Sequence, residues 1–349
     1  MKTKLFFNLL LLAVVVFFAS CVKEGPAGTA GLDGADGKDG KDGKDGNVTC
    51  QACHTGTALA TAQFQYAKST HKAGTNVAYA GGRAGCTECH SSEGFIEFQT
   101  TGVTVGVISM PSAITCETCH KLHTGFTYAD YALRKSTPVT MRFDATKATI
   151  VNLPGGANLC VNCHQSRANE PNIVTPGTTF RITSTHYGAH YGTQSNLLEG
   201  VGFALIPGTV TYPARGTGKH REQATCLTCH MGASDGKQGG HTWEASVAAC
   251  NKCHVTPTTF DYGGNKTDFT AKLNTLRDLL IVKGLLVKKE VVPATVPVTY
   301  FYEIVPATYP MAQVQALFNW KALYYDHSYG AHNPQLARAL LINSIAAVQ

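Results

Sequence analysis

One five-residue pattern occurs six times in this chain: a cysteine, two variable residues, a second cysteine and a histidine. Two thiols at this spacing on a tight turn can reach both vinyl groups of one porphyrin, and the next residue can offer its imidazole to the iron, which is the attachment chemistry of c-type haem. The sequence therefore predicts six haem c groups as cofactors. The cysteine pairs are Cys50/Cys53, Cys86/Cys89, Cys116/Cys119, Cys160/Cys163, Cys226/Cys229 and Cys250/Cys253, followed by His54, His90, His120, His164, His230 and His254.

Zinc ribbons, which also use pairs of Cys-x-x-Cys, are the alternative interpretation of these motifs. Zinc does not require a histidine directly after each second cysteine, and here all six pairs have one. Of the 13 cysteines, only Cys21 lies outside the pairs. The pattern favours haem over zinc.

The second axial ligands determine whether each iron is closed or open to substrate. The chain has 14 histidines, so eight remain outside the motifs, enough to close six sites. The candidate iron ligands among them are His71, His123, His186, His190, His220, His241 and His332. His186 and His190 are four residues apart and one of them is expected to ligate, with His190 favoured, whereas His327 is the weakest candidate. His123 lies one helical turn beyond His120 and is expected to bind a neighbouring haem.

The N-terminus is predicted to direct export and anchoring. Lys2 and Lys4 precede an apolar run of about 14 residues, which is too short to cross a bilayer and is typical of a signal peptide. The residues Phe18-Ala-Ser-Cys21 resemble a bacterial lipobox, so we expect a lipoprotein signal peptide at 1–20 and lipidation of Cys21. The alternative is an ordinary signal peptide followed by a free cysteine.

A collagen-like repeat follows, with glycine at every third position from Gly25 to Gly46. Such a repeat suits a collagen triple helix. Because it has only seven triplets and one proline, the preferred interpretation is a solvated tether over residues 21–47, and the alternative is a trimeric rod.

The elements that must position the motifs are expected to be mainly α-helices with extensive irregular coil. Residues 48–265 are rich in turns and are predicted to form a hexahaem domain in which porphyrin faces replace much of the side-chain core. Apolar residues at helical spacing predict long helices over 267–290 and 311–348, within a C-terminal helical region, 266–349, that contributes a distal ligand. The intervening segment, 291–310, contains four prolines and is predicted to be a loop or a short β excursion.

The array, with its Cys-x-x-Cys-His-x-x-His step at 116–123, resembles bacterial multihaem cytochromes of the nitrite reductase and hydroxylamine oxidoreductase superfamily. The segment from Phe318-Asn-Trp320 to the His332-Asn-Pro334 junction is similar too. This resemblance implies long C-terminal helices and a distal-ligand role for His332. The Cys-x-x-Cys-Lys motif of nitrite reductases does not occur here, so the resemblance supports haem packing more than catalysis.

The functional hypothesis is electron transfer through six mostly bis-histidine haems rather than catalysis. The expected partners are redox proteins of the periplasm or outer membrane and an extracellular acceptor such as a metal oxide. The expected location is the outer membrane, reached through the lipid anchor, on its periplasmic or cell-surface face. The alternatives are a reductase of a small nitrogen or sulfur oxyanion at one five-coordinate haem, and the protomer of a homo-oligomeric cytochrome filament. The net charge of +6 without a dense basic run argues against nucleic-acid binding.

Overall fold

Helices make up most of the regular structure of this protein. The computed structural model describes residues 54–104, 106–123, 131–168, 178–291 and 299–349. Within them the α-helices are α1 (Gly56–Tyr66), α2 (Thr70–Ala73), α3 (Thr87–His90), α4 (Ser92–Thr101), α5 (Cys116–Cys119), α6 (Asn158–Val161), α7 (Gln194–Glu199), α8 (Lys219–Gln223), α9 (Cys226–His230), α10 (Val247–Cys250), α11 (Asn265–Val282), α12 (Met311–Asp326) and α13 (Pro334–Val348). A π-helical turn covers Val77–Gly81, and 3-10 turns cover Gly240–Thr242 and Tyr262–Gly264.

The strands of the described residues are short and form three two-stranded antiparallel sheets. They are β1 (Val139–Thr140) with β2 (Ile150–Val151), β3 (Thr179–Arg181) with β6 (Thr308–Pro310), and β4 (Leu286–Glu290) with β5 (Tyr300–Ile304). The predicted fold class, mainly α with irregular coil and long C-terminal helices, is confirmed. The predicted signal peptide, Cys21, the tether, Cys50 and Cys53 all lie outside the described residues.

The long C-terminal helices pack against one another and carry most of the larger apolar cluster. Helices α11, α12 and α13 contact each other pairwise. A cluster of 25 buried apolar residues extends from Ile182 to Val348 and includes Leu280, Phe318 and Leu340. Pro334 begins α13, where its missing N–H costs no hydrogen bond, and the Asn333 side chain accepts a hydrogen bond from the Leu336 N–H at 3.2 Å.

The prediction of one helix over 267–290 is wrong beyond Val282. Gly284 adopts a left-handed backbone conformation with a φ of +78°, and the Leu285 N–H donates to the Leu280 carbonyl at 2.9 Å, which ends the helix. The chain then continues as β4, whose partner β5 lies within the predicted β excursion. The prediction extended the helix too far because Leu285 and Leu286 continue its apolar pattern. Both are buried although they lie outside the helix.

The residues 311–348, predicted to be helical, form two helices, α12 and α13. His327, Tyr329 and Gly330 between them all have positive φ, which a continuous helix cannot contain.

The apolar core is unevenly distributed along the chain. Residues 49–349 form one compact unit, yet the described residues between 54 and 134 contribute only Ala80, Phe95 and Ala132 to its buried apolar residues. A small second cluster joins residues 139–161 to Leu198. No helix in the described part of the chain is long and apolar enough to cross a membrane.

Candidate haem-binding sites

Each described haem motif folds as a single tight helical turn. The histidine N–H donates to the carbonyl of the first cysteine, for example from His120 to Cys116 at 2.9 Å and from His164 to Cys160 at 3.0 Å. Residues i, i+3 and i+4 of such a turn share one face, so both thiols and the imidazole converge on the same side. The ten described motif cysteines are all free thiols rather than disulfides.

The main finding is that every motif histidine lies beside a second histidine from elsewhere in the chain. Six different motif histidines pair with six different partners, and the ring centroids are between 5.7 and 6.4 Å apart. The pairs are His54/His123 at 5.7 Å, His90/His190 at 6.1 Å, His120/His241 at 6.3 Å, His164/His71 at 6.1 Å, His230/His332 at 6.4 Å and His254/His220 at 6.0 Å.

This spacing is what two imidazoles on opposite sides of one metal ion require. A metal–imidazole bond is about 2 Å long, so the two ring centres lie about 6 Å apart. A structural zinc ion needs four protein ligands, whereas a haem iron already has its porphyrin nitrogens and takes only two axial ligands. No group of three or more His, Cys, Asp or Glu side chains forms a metal site among the residues that can be described. The donor set therefore fits haem.

Six of the twelve paired imidazoles are in environments that favour the neutral form, which is the form that binds a metal. Burial, aided by His164, lowers the pKa of His71 to about 4. Burial, together with Arg167 and other cations, lowers the pKa of His190 to about 4. Burial is also the main cause of lowered pKa values at His90, His164, His230 and His241.

Two histidines remain outside these pairs. His186 is exposed, its backbone N–H donates to the Ser184 hydroxyl at 3.1 Å, and no ring contact within the described residues joins it to another histidine. His327 is also exposed, and its ring lies 6.5 Å from that of Tyr324. Of the two histidines in the 186–190 segment, the structure thus brings His190 to a motif histidine.

Trp243 joins three of the pairs and was not predicted from the sequence. Its ring lies 4.8 Å from that of His71 and 5.4 Å from that of His241, and its carbonyl accepts a hydrogen bond from His230 Nδ1 at 2.8 Å. Its φ of +55° is strained for a bulky residue. In the sequence, Trp243 lies two residues after the Gly-Gly-His segment at 239–241, but it belongs to no recognisable motif.

Buried charged residues fix two segments that carry paired histidines. The Glu199 carboxylate, almost completely buried, binds Arg215 and Arg221, both at 2.9 Å, and Arg221 belongs to α8 together with His220. Buried Lys321 donates from Nζ to the carbonyls of His186 and Tyr187, at 3.0 and 2.6 Å, just before His190. Burial lowers the pKa of Lys321 to about 8.

Gly240 is required where α1 approaches His241. The Gln65 Oε1 accepts a hydrogen bond from the His241 N–H at 2.9 Å, and a Cβ on Gly240 would overlap that same oxygen. Gly240→Ala is therefore expected to lower the free energy of unfolding by about 1–3 kcal/mol more than Gly236→Ala. Gly236 is the matched control because its φ is also positive, +84°, but nothing lies within 4 Å of its Cβ position. Chemical denaturation of the two variants measures the difference. Equal losses of unfolding free energy would show that the contact between Gly240 and Gln65 is not tight.

Contacts between motifs define how the attachment sites are arranged. The Cys89 thiol donates to the carbonyl of Asn162 at 3.7 Å, and the Cys163 thiol to that of Glu88 at 3.8 Å, so the second and fourth motifs adjoin. Cys226 of the fifth motif packs against the small apolar cluster that includes Val161 of the fourth, so these two motifs also adjoin.

Two further contacts extend the arrangement. Helices α9 and α10, which carry the fifth and sixth motifs, pack together. His123, three residues beyond the third motif, faces the histidine of the first. Trp243 lies between partners of the third and fourth motif histidines, so the fourth motif has the second, third and fifth around it.

Comparison with known proteins supports this reading of the fold. No protein-family model and no curated protein matches the chain. Among solved structures, the crystal structure of the outer cell wall cytochrome OcwA is similar, with a TM-score of 0.52 and 18% sequence identity. Over the matched part, the chain shares the fold of that cytochrome. The match covers 82% of this chain and 50% of OcwA, so the chain spans about half the length of that cytochrome.

Proposed function

We propose that this protein is a multihaem electron-transfer cytochrome with six haem c groups, each held between two histidines. The observation that carries the proposal is the presence of a second imidazole opposite every motif histidine. When bound, each haem supplies an iron that takes up and gives away one electron. The polypeptide fixes the spacing of the sites, closes both axial positions with imidazole, and thereby excludes substrates from the metal.

The contacts between motifs support a branched arrangement with the fourth site at the junction. The first, third, fourth, fifth and sixth sites form one series, and the second site branches from the fourth. Short distances between neighbouring sites favour electron transfer, because the rate of electron tunnelling falls steeply as the distance between the sites grows. Sites one, two and six would lie at the ends of this arrangement, where partners would exchange electrons with it.

The cellular setting follows from the N-terminal sequence. We propose that the chain is exported, lipidated at Cys21 and held at the outer membrane through the 21–47 tether, on the periplasmic or cell-surface face. Its partners would be redox proteins and an extracellular acceptor such as a metal oxide. The exposed His186 and His327 are available to a second copy, which keeps a homo-oligomeric filament as an outcome to be tested.

The experiment is electron paramagnetic resonance of the exported ferric protein, followed by reduction and reoxidation. We expect six low-spin haems, complete reduction by dithionite, and reoxidation by ferric complexes without turnover of nitrite, hydroxylamine or sulfite. A high-spin ferric haem in the unaltered protein, together with turnover of one of these substrates, would instead establish a reductase. Electron microscopy of the same preparation distinguishes separate molecules from filaments.

A further inference from the structure

In the histidine pair of the fifth motif, one imidazole is hydrogen-bonded to a buried carboxylate. His332 Nδ1 lies 2.6 Å from Asp326 Oδ1, and the Asp326 side chain is completely buried. The hydroxyl and the backbone N–H of Ser328 both donate to Asp326 Oδ2, the N–H at 3.2 Å. Since Nδ1 is engaged by the carboxylate, Nε2 is the nitrogen left for a metal, as it is in His230, whose Nδ1 binds the Trp243 carbonyl.

Other paired histidines use uncharged acceptors at the same position. His120 Nδ1 binds the carbonyl of Tyr131 at 3.1 Å, and His164 Nδ1 binds the side-chain oxygen of Gln194 at 3.3 Å. His220 Nδ1 binds the carbonyl of Ala331. Of the five histidines His120, His164, His220, His230 and His332, only His332 donates to a carboxylate.

A carboxylate that accepts the outer N–H of a ligating histidine makes that imidazole a stronger electron donor. It also places a negative charge near the metal in a buried region of low dielectric, where charge interactions are strong. Both effects stabilise the ferric state relative to the ferrous state, and second-shell hydrogen bonding and charge are established determinants of haem potentials.

We infer that Asp326 makes the haem held by His230 and His332 the most reducing of the six. The inference rests on the proposed function, since it assumes that this pair binds a haem. The fifth site lies between the fourth and the sixth. The haem that is reduced last would therefore lie inside the series rather than at its end. Asp326 is in this sense a positioning residue, which acts on the iron through its hydrogen bond to His332 and through its charge.

The test is an anaerobic redox titration of the haem-loaded protein and its Asp326→Asn variant. Asparagine retains an acceptor oxygen but removes the charge. The lowest of the six potentials is expected to shift positive, with at least about a tenfold rise in the ratio of reduced to oxidised haem at fixed potential, about 59 mV for one electron. The other five potentials are expected to stay in place. Asp278→Asn is the matched control, because its carboxylate is exposed and pairs with Arg277.

A second variant gives a shift of opposite sign and covers the case in which Asp326→Asn fails to fold. Ser328→Ala removes the hydroxyl that donates to Asp326 Oδ2, which leaves more negative charge for the bond to His332. The same lowest potential is then expected to move further negative.

Three results would overturn the inference: unchanged potentials in both variants, a shift in a haem other than the lowest, or a high-spin signal in Asp326→Asn showing that His332 has merely detached. A wild-type protein without six low-spin haems would refute the proposed function itself, so the two failures are distinguishable.

Discussion

Replacing His190 with alanine is expected to open one haem iron out of six, whereas replacing His186 is expected to open none. The His90 and His190 rings are 6.1 Å apart, while His186 is exposed and faces no motif histidine within the described residues. An iron with one axial histidine lost becomes high-spin and binds external ligands. The His190→Ala protein should therefore show one high-spin ferric signal and bind carbon monoxide at one ferrous haem.

His186→Ala is a matched control because the two histidines are four residues apart on the same segment. Lys321 Nζ donates to backbone carbonyls of that segment, and these bonds persist in either variant. Added imidazole is expected to restore the low-spin spectrum of His190→Ala by occupying the vacated position. If His186→Ala produced the high-spin signal instead, the pairing of His90 with His190 would be wrong.

Producing residues 22–349 in the cytoplasm, where no haem is attached, is expected to leave residues 54–134 unfolded and the C-terminal helices folded. The described residues between 54 and 134 bury only three apolar side chains, whereas 25 form the cluster that ends at Val348. A segment without apolar burial cannot offset its conformational entropy, so the porphyrin faces must supply the missing core.

Hydrogen exchange measures this difference along the chain. Amides of residues 54–134 are expected to exchange at nearly the unprotected rate, and those of α11–α13 to be protected at least about 1,000-fold. The exported, haem-loaded protein is the control and should be protected in both regions. Equal protection of residues 54–134 and of α11–α13 in the haem-free protein would contradict the idea that haem forms the N-terminal core.

The sequence was sufficient to predict the attachment motifs and the class of fold, because both depend on local patterns. The Cys-x-x-Cys-His spacing corresponds to one helical turn, and the apolar periodicity of 311–348 marks α12 and α13. Helical spacing also indicated that His123 would serve a site other than that of His120, and the structure places it beside His54.

The pairing of distant histidines could not be predicted, because it depends on tertiary contacts. Nothing near His71 or His241 indicates that one faces His164 and the other His120. The same holds for Trp243 and Asp326, whose roles arise from packing between segments far apart in the chain. The error at residues 283–290 has a local cause, since Gly284 ended a helix whose apolar pattern continued into a strand.

A structure of the haem-loaded protein with iron located by anomalous scattering tests the central claim most directly. We expect six iron positions in each chain, each between the two imidazoles of one of the six pairs described above. Fewer than six irons, an iron bound by a different pair of histidines, or metal ions coordinated by the motif cysteine sulfurs would contradict this account.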